Sequence, residues 1–107
     1  MPEAKILMSR EATIATFKIV GVGTFQQAGG FKTASTQLLA EGVTDFIIDL
    51  GECEMLDSTL LGTILGLALK VRQSGTGKVH AIRLNEVVRS LFRGTGLDQI
   101  FEMTEPR

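Results

Sequence analysis

Between residues 55 and 62 the chain reads Met55-Leu56-Asp57-Ser58-Thr59-Leu60-Leu61-Gly62, with a carboxylate and two hydroxyls where a strand-like segment gives way to a helical pattern. Two chemistries are open to such a group. A side-chain oxygen of Asp57 or Ser58 can accept one of the amide hydrogens that a helix start leaves unpaired, which makes the group a cap. A phosphoryl group on Ser58, or on Thr59, would meet the same amides and the positive end of the helix dipole. It would set about −1.5 to −2 charges beside Asp57 and Glu54 and change a docking surface by repulsion. The residues alone leave both readings open.

Other chemistries find less support. A nucleophilic Ser58 needs a base, and the only histidine, His80, falls in a later strand-like segment with no Gly-x-Ser-x-Gly elbow around the serine. One Cys and one His cannot close a zinc site. Asp49 at a strand end, with Asp57 across the following loop, could hold a hydrated divalent ion, but ordinary strand-end carboxylates explain both. Gly21-Val22-Gly23 lacks the third glycine of a dinucleotide fingerprint, and Gly75-Thr76-Gly77 lacks the Lys-Ser/Thr of a phosphate loop. Cys53 reads as a connector thiol whose closeness to Ser58 makes redox modulation conceivable, and Arg89 and Arg93 as a solvated helix face. No catalytic residue, metal or cofactor is expected.

The elements that position Asp57-Ser58-Thr59 can be read from periodicity. Lys5–Ser9 and Thr13–Val20 predict two strands joined as a hairpin, ended by Gly21 and Gly23. Thr24–Gly30 reads as a loop. Phe31, Ala34, Leu38 and Leu39 predict a helix to Glu41, stopped at Gly42. Thr44–Leu50 predicts a strand, and its Phe46-Ile47-Ile48 run suggests burial on both faces. Gly51–Leu56 reads as a connector. From Ser58 to Gln73 one face carries Leu61, Ile64, Leu65, Ala68 and Val71. Gly62 and Gly66 on this helix each cost up to about 1 kcal/mol against Ala, which close packing against the sheet would offset and a small-residue dimer seam would offset differently. After a turn at residues 74–77, Lys78–Leu84 predicts a strand and Asn85 caps a helix that Gly94 and Gly96 end. Leu97–Met103 closes the chain with a strand at Ile100-Phe101, and Thr104–Arg107 is expected to fray. The order β-β-α-β-α-β-α-(β) with right-handed crossovers predicts an α/β fold, a mixed four- to five-stranded sheet with helices mainly on one face.

Composition fits this. The 107 residues suit one domain spanning 1–107. Hydrophobic residues make up 44% and charged residues 21%, and six Phe with no Trp or Tyr leave the core to Leu, Ile, Val and Ala. A net charge of −1, spread evenly, offers no field for nucleic acid or an anionic membrane. A single Cys excludes an internal disulfide and suits a reduced cytoplasm. The start Met1-Pro2-Glu3-Ala4-Lys5 lacks a basic segment followed by a long apolar one, so no secretory signal is expected. The run Leu60–Leu69 is about half of the roughly 20 residues a membrane span needs, so no membrane insertion is expected either.

Taken together, Thr44-Asp45-Phe46-Ile47-Ile48-Asp49-Leu50, Met55-Leu56-Asp57-Ser58-Thr59 and Leu61-Gly62 resemble the core of STAS domains, the anti-sigma factor antagonists and their relatives. Arg83-Leu84-Asn85, Leu91-Phe92, Thr95-Gly96-Leu97-Asp98 and Ile100-Phe101 match that family's C-terminal half. The resemblance implies a non-enzymatic protein that acts by binding. In antagonist members a serine after the Asp, here Ser58 with Thr59 as the backup acceptor, is phosphorylated by an anti-sigma factor that is also a serine kinase, which blocks binding, and a phosphatase resets the switch. The implied partner surface comprises Asp57, Ser58, Thr59, Leu60, Gly23, Thr24 and Phe25. Two positions depart from the family pattern. Leu60 replaces the usual Gly and is expected to widen the surface a kinase approaches. Gly23-Thr24-Phe25-Gln26 carries no acid where the family often has Gly-Glu-x-Asp. These departures bring in an alternative from a different class, a constitutive STAS subunit of a lipid-transport ATPase.

Overall fold

In the computed structural model of the chain, which describes residues 4–103, the elements run β1 (Lys5–Glu11), β2 (Ile14–Gly23), α1 (Phe25–Ala40), β3 (Asp45–Leu56), α2 (Ser58–Ser74), β4 (Val79–Ile82), α3 (Glu86–Thr95) and a 3₁₀ turn (Leu97–Gln99). The sheet order is β1-β2-β3-β4, antiparallel between β1 and β2 and parallel across the other two pairs. This is the mixed sheet expected, with four strands. The parallel strands β2, β3 and β4 lie side by side in chain order, so both crossovers step the same way. Right-handed crossovers then put α1 and α2 on the same face.

That face holds the core. Ala15, Phe17 and Ile19 alternate along β2, Phe46, Ile48 and Leu50 along β3, and Val79 and Ala81 along β4, all buried. From α1, Phe31 reaches Phe17 with ring centroids 4.7 Å apart. α2 buries Leu60, Leu61, Ile64, Leu67, Ala68 and Val71, a stripe at helical spacing. Beneath α3, Phe92 meets Phe101 at 5.2 Å. The opposite face of the sheet is less covered. Ile47, in register between Thr16 and His80, is only half-buried, so the apolar run in β3 does not mean burial on both faces.

Several boundaries differ from the sequence reading, each for a local reason. The segment Thr24–Gly30 is not a loop. α1 starts at Phe25 because Thr24 and Gln27 form a capping box, the Thr24 amide donating to Gln27 Oε1 at 2.7 Å and Thr24 Oγ1 accepting from the Gln26 amide at 3.3 Å. Gly29 and Gly30 within the first turns hide the helical pattern. The segment Gly51–Leu56 is not a connector but the second half of β3, which pairs with Val20–Gly23 across two register breaks that disrupt its alternation. β4 ends at Ile82 because Arg83 takes φ 60°, a left-handed turn. Gly94 lies inside α3, and Gly96, at φ 77°, ends it. No strand forms at Ile100-Phe101. Instead Glu102 makes one parallel bridge to His80, donating to Val79 O and accepting from the Ala81 amide, both at 2.8 Å. The expected frayed tail, residues 104–107, lies outside the described residues.

Candidate functional site

β2 and β3 are parallel neighbours that end level, Gly23 opposite Leu56, so α1 and α2 start side by side. The Asp57 amide donates to Gly23 O at 2.8 Å and ties the two exits together. The Asp57 carboxylate then serves both helices. Its Oδ1 accepts from the Leu60 amide at 2.8 Å, capping α2, and its Oδ2 accepts from the Phe25 amide at 2.7 Å, at the first residue of α1. Asp57 is thus the cap, in extended backbone with φ −80° and ψ 168°.

With Asp57 doing the capping, Ser58 is left free for other chemistry. It is the first residue of α2 and exposed, as is Thr59. Its hydroxyl makes no hydrogen bond to a described residue, and the Ser58 and Thr59 amides carry no partner among the described residues either. Open amides at a helix start, here beside a second helix start, favour negative charge.

The other residues expected at the partner surface divide in two. Phe25 is 65% exposed and sits directly against the Asp57 carboxylate. Gly23 and Leu60, in contrast, face inward. Leu60 is 0% exposed, so it adds nothing to the surface a kinase would approach. It fills the space above Gly23, where an added Cβ would lie 2.5 Å from Leu60 Cδ2 and 2.9 Å from Leu56 Cδ2. The Leu and the Gly are therefore complementary packing beneath the site. Thr24 is half-buried and occupied as the α1 cap.

Two surface residues escaped the sequence reading. Val22 and Met55 are cross-strand partners at the ends of β2 and β3, 42% and 40% exposed. With exposed Phe25 they leave apolar surface at the strand ends that lead into α1 and α2. The available signal was the alternation of Val22 with buried Gly21 and Gly23, legible only once β3 is known to extend to Leu56. From Ser58 and Thr59 a groove of about 500 Å³ runs between α1 and α2, passing Gly62 and Gly66 and flanked by Lys32 and Lys70. An added Cβ at Gly62 or Gly66 would meet nothing within 4 Å, and both are exposed. Close packing against the sheet is therefore not what these glycines serve.

The remaining candidates lie elsewhere. His80 is 3.5 Å from Asp45 at the start of β3, whereas Ser58 follows the other end of that strand, so the two are not brought together. Asp49 and Asp57 do not converge on an ion either. Asp49 accepts both guanidinium arms of Arg83, Nε at 3.1 Å and Nη2 in a closer contact, and the Gly51 amide at 3.0 Å. Burial pushes its carboxyl up, but these hydrogen bonds and the charges of Arg83 and Lys18 outweigh burial and hold it below the usual carboxylate value. No cluster of metal-ligating side chains occurs among the described residues. Burial pushes the Cys53 thiol up despite its contacts with Met55 and Gly23, which disfavours the thiolate that redox chemistry needs. No helix among the described residues is long and apolar enough to cross a membrane.

The family model described as Mlab, STAS domain, matches residues 8–105. The chain belongs to the STAS domain family. Its architecture as a STAS domain is shared with solved structures. A Thermotoga maritima protein assigned as an anti-sigma factor antagonist superposes with a TM-score of 0.83 at 22% identity, over 94% of this chain and 86% of that one. The anti-sigma factor antagonist from Mycobacterium paratuberculosis gives 0.77 at 21%, over 92% and 83%. The Bacillus cell fate determinant SpoIIAA in its phosphorylated form gives 0.75 at 15%, over 94% and 93%. At these identities the likeness is one of fold. The search of curated proteins finds no match for this STAS domain.

Proposed function

We propose that this STAS domain is a non-catalytic regulator of the anti-sigma factor antagonist type, which docks a partner around the start of α2 and is switched by phosphorylation of Ser58. The observation that carries the reading is the division of labour between neighbours. Asp57 performs the structural capping of both helices, and Ser58 beside it is exposed with an unengaged hydroxyl. A phosphoryl group there changes the charge of the surface without removing any bond that holds the fold. Phe25 at the start of α1, with Val22 and Met55 at the strand ends, offers exposed apolar surface for the partner, and Thr59 is the second acceptor. The switch requires a serine kinase, an anti-sigma factor in this reading, and a phosphatase to reverse it, and it operates in the cytoplasm.

A second reading shares the docking surface but not the switch, namely a constitutive subunit of a lipid-transport ATPase. The acid-free start of α1 at Thr24-Phe25-Gln26 favours it, because exposed Phe25, with Val22 and Met55 at the strand ends, offers apolar rather than charged surface to a partner.

The test is to treat the protein with serine kinases of the same genome, locate phosphate by mass spectrometry, and purify tagged wild type, Ser58→Ala and Ser58→Asp with their partners. Phosphate on Ser58, with the partner retained by Ser58→Ala and lost by Ser58→Asp, supports the switch. A transport ATPase that co-purifies with all three, with no phosphate from any kinase, overturns it in favour of the second reading.

A further inference from the structure

Among the described residues β1 is the outermost strand of the sheet, and the outer edge of Lys5–Glu11 has no strand partner there. Proteins guard such edges with charged side chains, Pro, bulges or a covering segment. β1 pairs with β2 in unbroken register and contains no Pro. Its central residues Leu7 and Met8 are 53% and 51% exposed. Its charges are of both signs, Lys5 at one end and Glu11 at the other, and neither forms an ion pair with a described residue. Arg10, between them, is held by Glu41 at 2.6 Å.

This pattern is self-complementary. Two antiparallel copies of β1 in one continuous sheet are related by an axis perpendicular to it. With that axis at Met8, Lys5 faces Glu11 of the second copy and Glu11 faces its Lys5, while Leu7 faces Ser9 and Met8 faces Met8. Opposite residues must point to the same face, so the register can slide only in steps that preserve this. One such step puts Lys5 against Ser9 and the other puts Leu7 against Glu11, and each loses both charge pairs. On the helix-bearing face, Met8 borders a hollow of about 300 Å³ between β1 and α1, lined by Ile6, Phe17, Gly30, Phe31 and Ala34. Met8 of the second copy would stand at its mouth.

We propose that β1 is a self-association edge, through which two copies of the chain pair antiparallel about an axis at Met8 and join their sheets into one. The proposal is independent of Ser58 and of which partner docks there. A single added strand pair is a small interface, below roughly 1,200 Å², so the dimer is weak and concentration-dependent.

Sedimentation equilibrium on the full chain, up to about 1 mM, tests it. The wild type is expected to show a monomer–dimer equilibrium. Lys5→Glu and Glu11→Lys each turn two attractions into two repulsions and are expected to weaken it at least about tenfold. The double variant Lys5→Glu/Glu11→Lys restores both pairs with reversed sign and is expected to recover wild-type association. All four residues of the pairs are exposed, so circular dichroism should show an unchanged fold. A wild type that stays monomeric throughout, a dimer that the single variants leave intact, or a folded double variant that fails to recover would each overturn the proposal.

Discussion

Asp57 uses both carboxylate oxygens on different helices, and this sets the consequence of changing it. Asp57→Asn keeps one acceptor oxygen, enough for Leu60 or for Phe25 but not both, and turns an NH₂ toward the other amide. Asp57→Ala removes both acceptors. A helix cap is worth about 1 kcal/mol, so the Asn variant is expected to lose about 1 kcal/mol and the Ala variant about 2 kcal/mol in urea titrations. Equal losses would show that one of the two bonds contributes nothing. Ser58→Ala, which removes a hydroxyl with no described partner, is expected to change stability by less than about 0.5 kcal/mol. The sequence made the Asp57-Ser58-Thr59 group visible but not its assignment of roles, because capping by Asp57 and capping by Ser58 have the same spacing. Only the second acceptor contact, with Phe25, 32 residues away, separates them.

At the scale of elements, the glycines divide by what surrounds them. Gly62 and Gly66 have ordinary helical backbone and open space where a Cβ would go. Gly62→Ala and Gly66→Ala are therefore expected to stabilise the isolated protein, each by up to about 1 kcal/mol, read as a higher urea midpoint. Loss of partner binding in the same variants would locate the reason for glycine in the α1–α2 groove. Gly77 is the opposite case. A Cβ there would lie 1.8 Å from the Thr44 carbonyl oxygen, a backbone atom that cannot turn aside. Gly77→Ala is expected to lower stability by several kcal/mol or prevent folding. The same elements show where sequence periodicity works. The α2 stripe and the Asn85 cap were legible because they depend on nearby residues. The second half of β3 was not, since its bulges break alternation and its pairing with β2 is set by residues some thirty positions earlier. The start of α1 could have been read from Thr24 and Gln27, but Gly29 and Gly30 masked the helix that followed them.

For the whole molecule, the ordered set of motifs indicated the STAS architecture, while the level ending of β2 and β3, which gathers residues 22–25 with 55–59, came only with the three-dimensional structure. A second carboxylate, in the middle of β3, is paired within the sheet away from that surface. Asp49, buried against Arg83, has its folded-state carboxyl held below the usual carboxylate value by the Arg83 guanidinium, the Gly51 amide and the charge of Lys18, which together outweigh burial. Its contribution to stability is therefore fully present above the unfolded carboxyl value of about 3.9 and is lost as pH falls through the lower folded value. Asp49→Asn is expected to be less stable than wild type at neutral pH, with a gap that narrows from about pH 4 downward. A gap constant down to about pH 2 would exclude Asp49 as an acid-sensitive group.

The carboxylate shared between α1 and α2 also has a consequence in time. Helix ends ordinarily fray one at a time, each exchanging its amide hydrogens at its own rate. Here release of Asp57 frees the Phe25 and Leu60 amides in one event. Native-state hydrogen exchange is expected to show these two amides opening with matched free energies and losing protection together in Asp57→Ala. The polypeptide around Ser58 would then breathe as one cooperative unit.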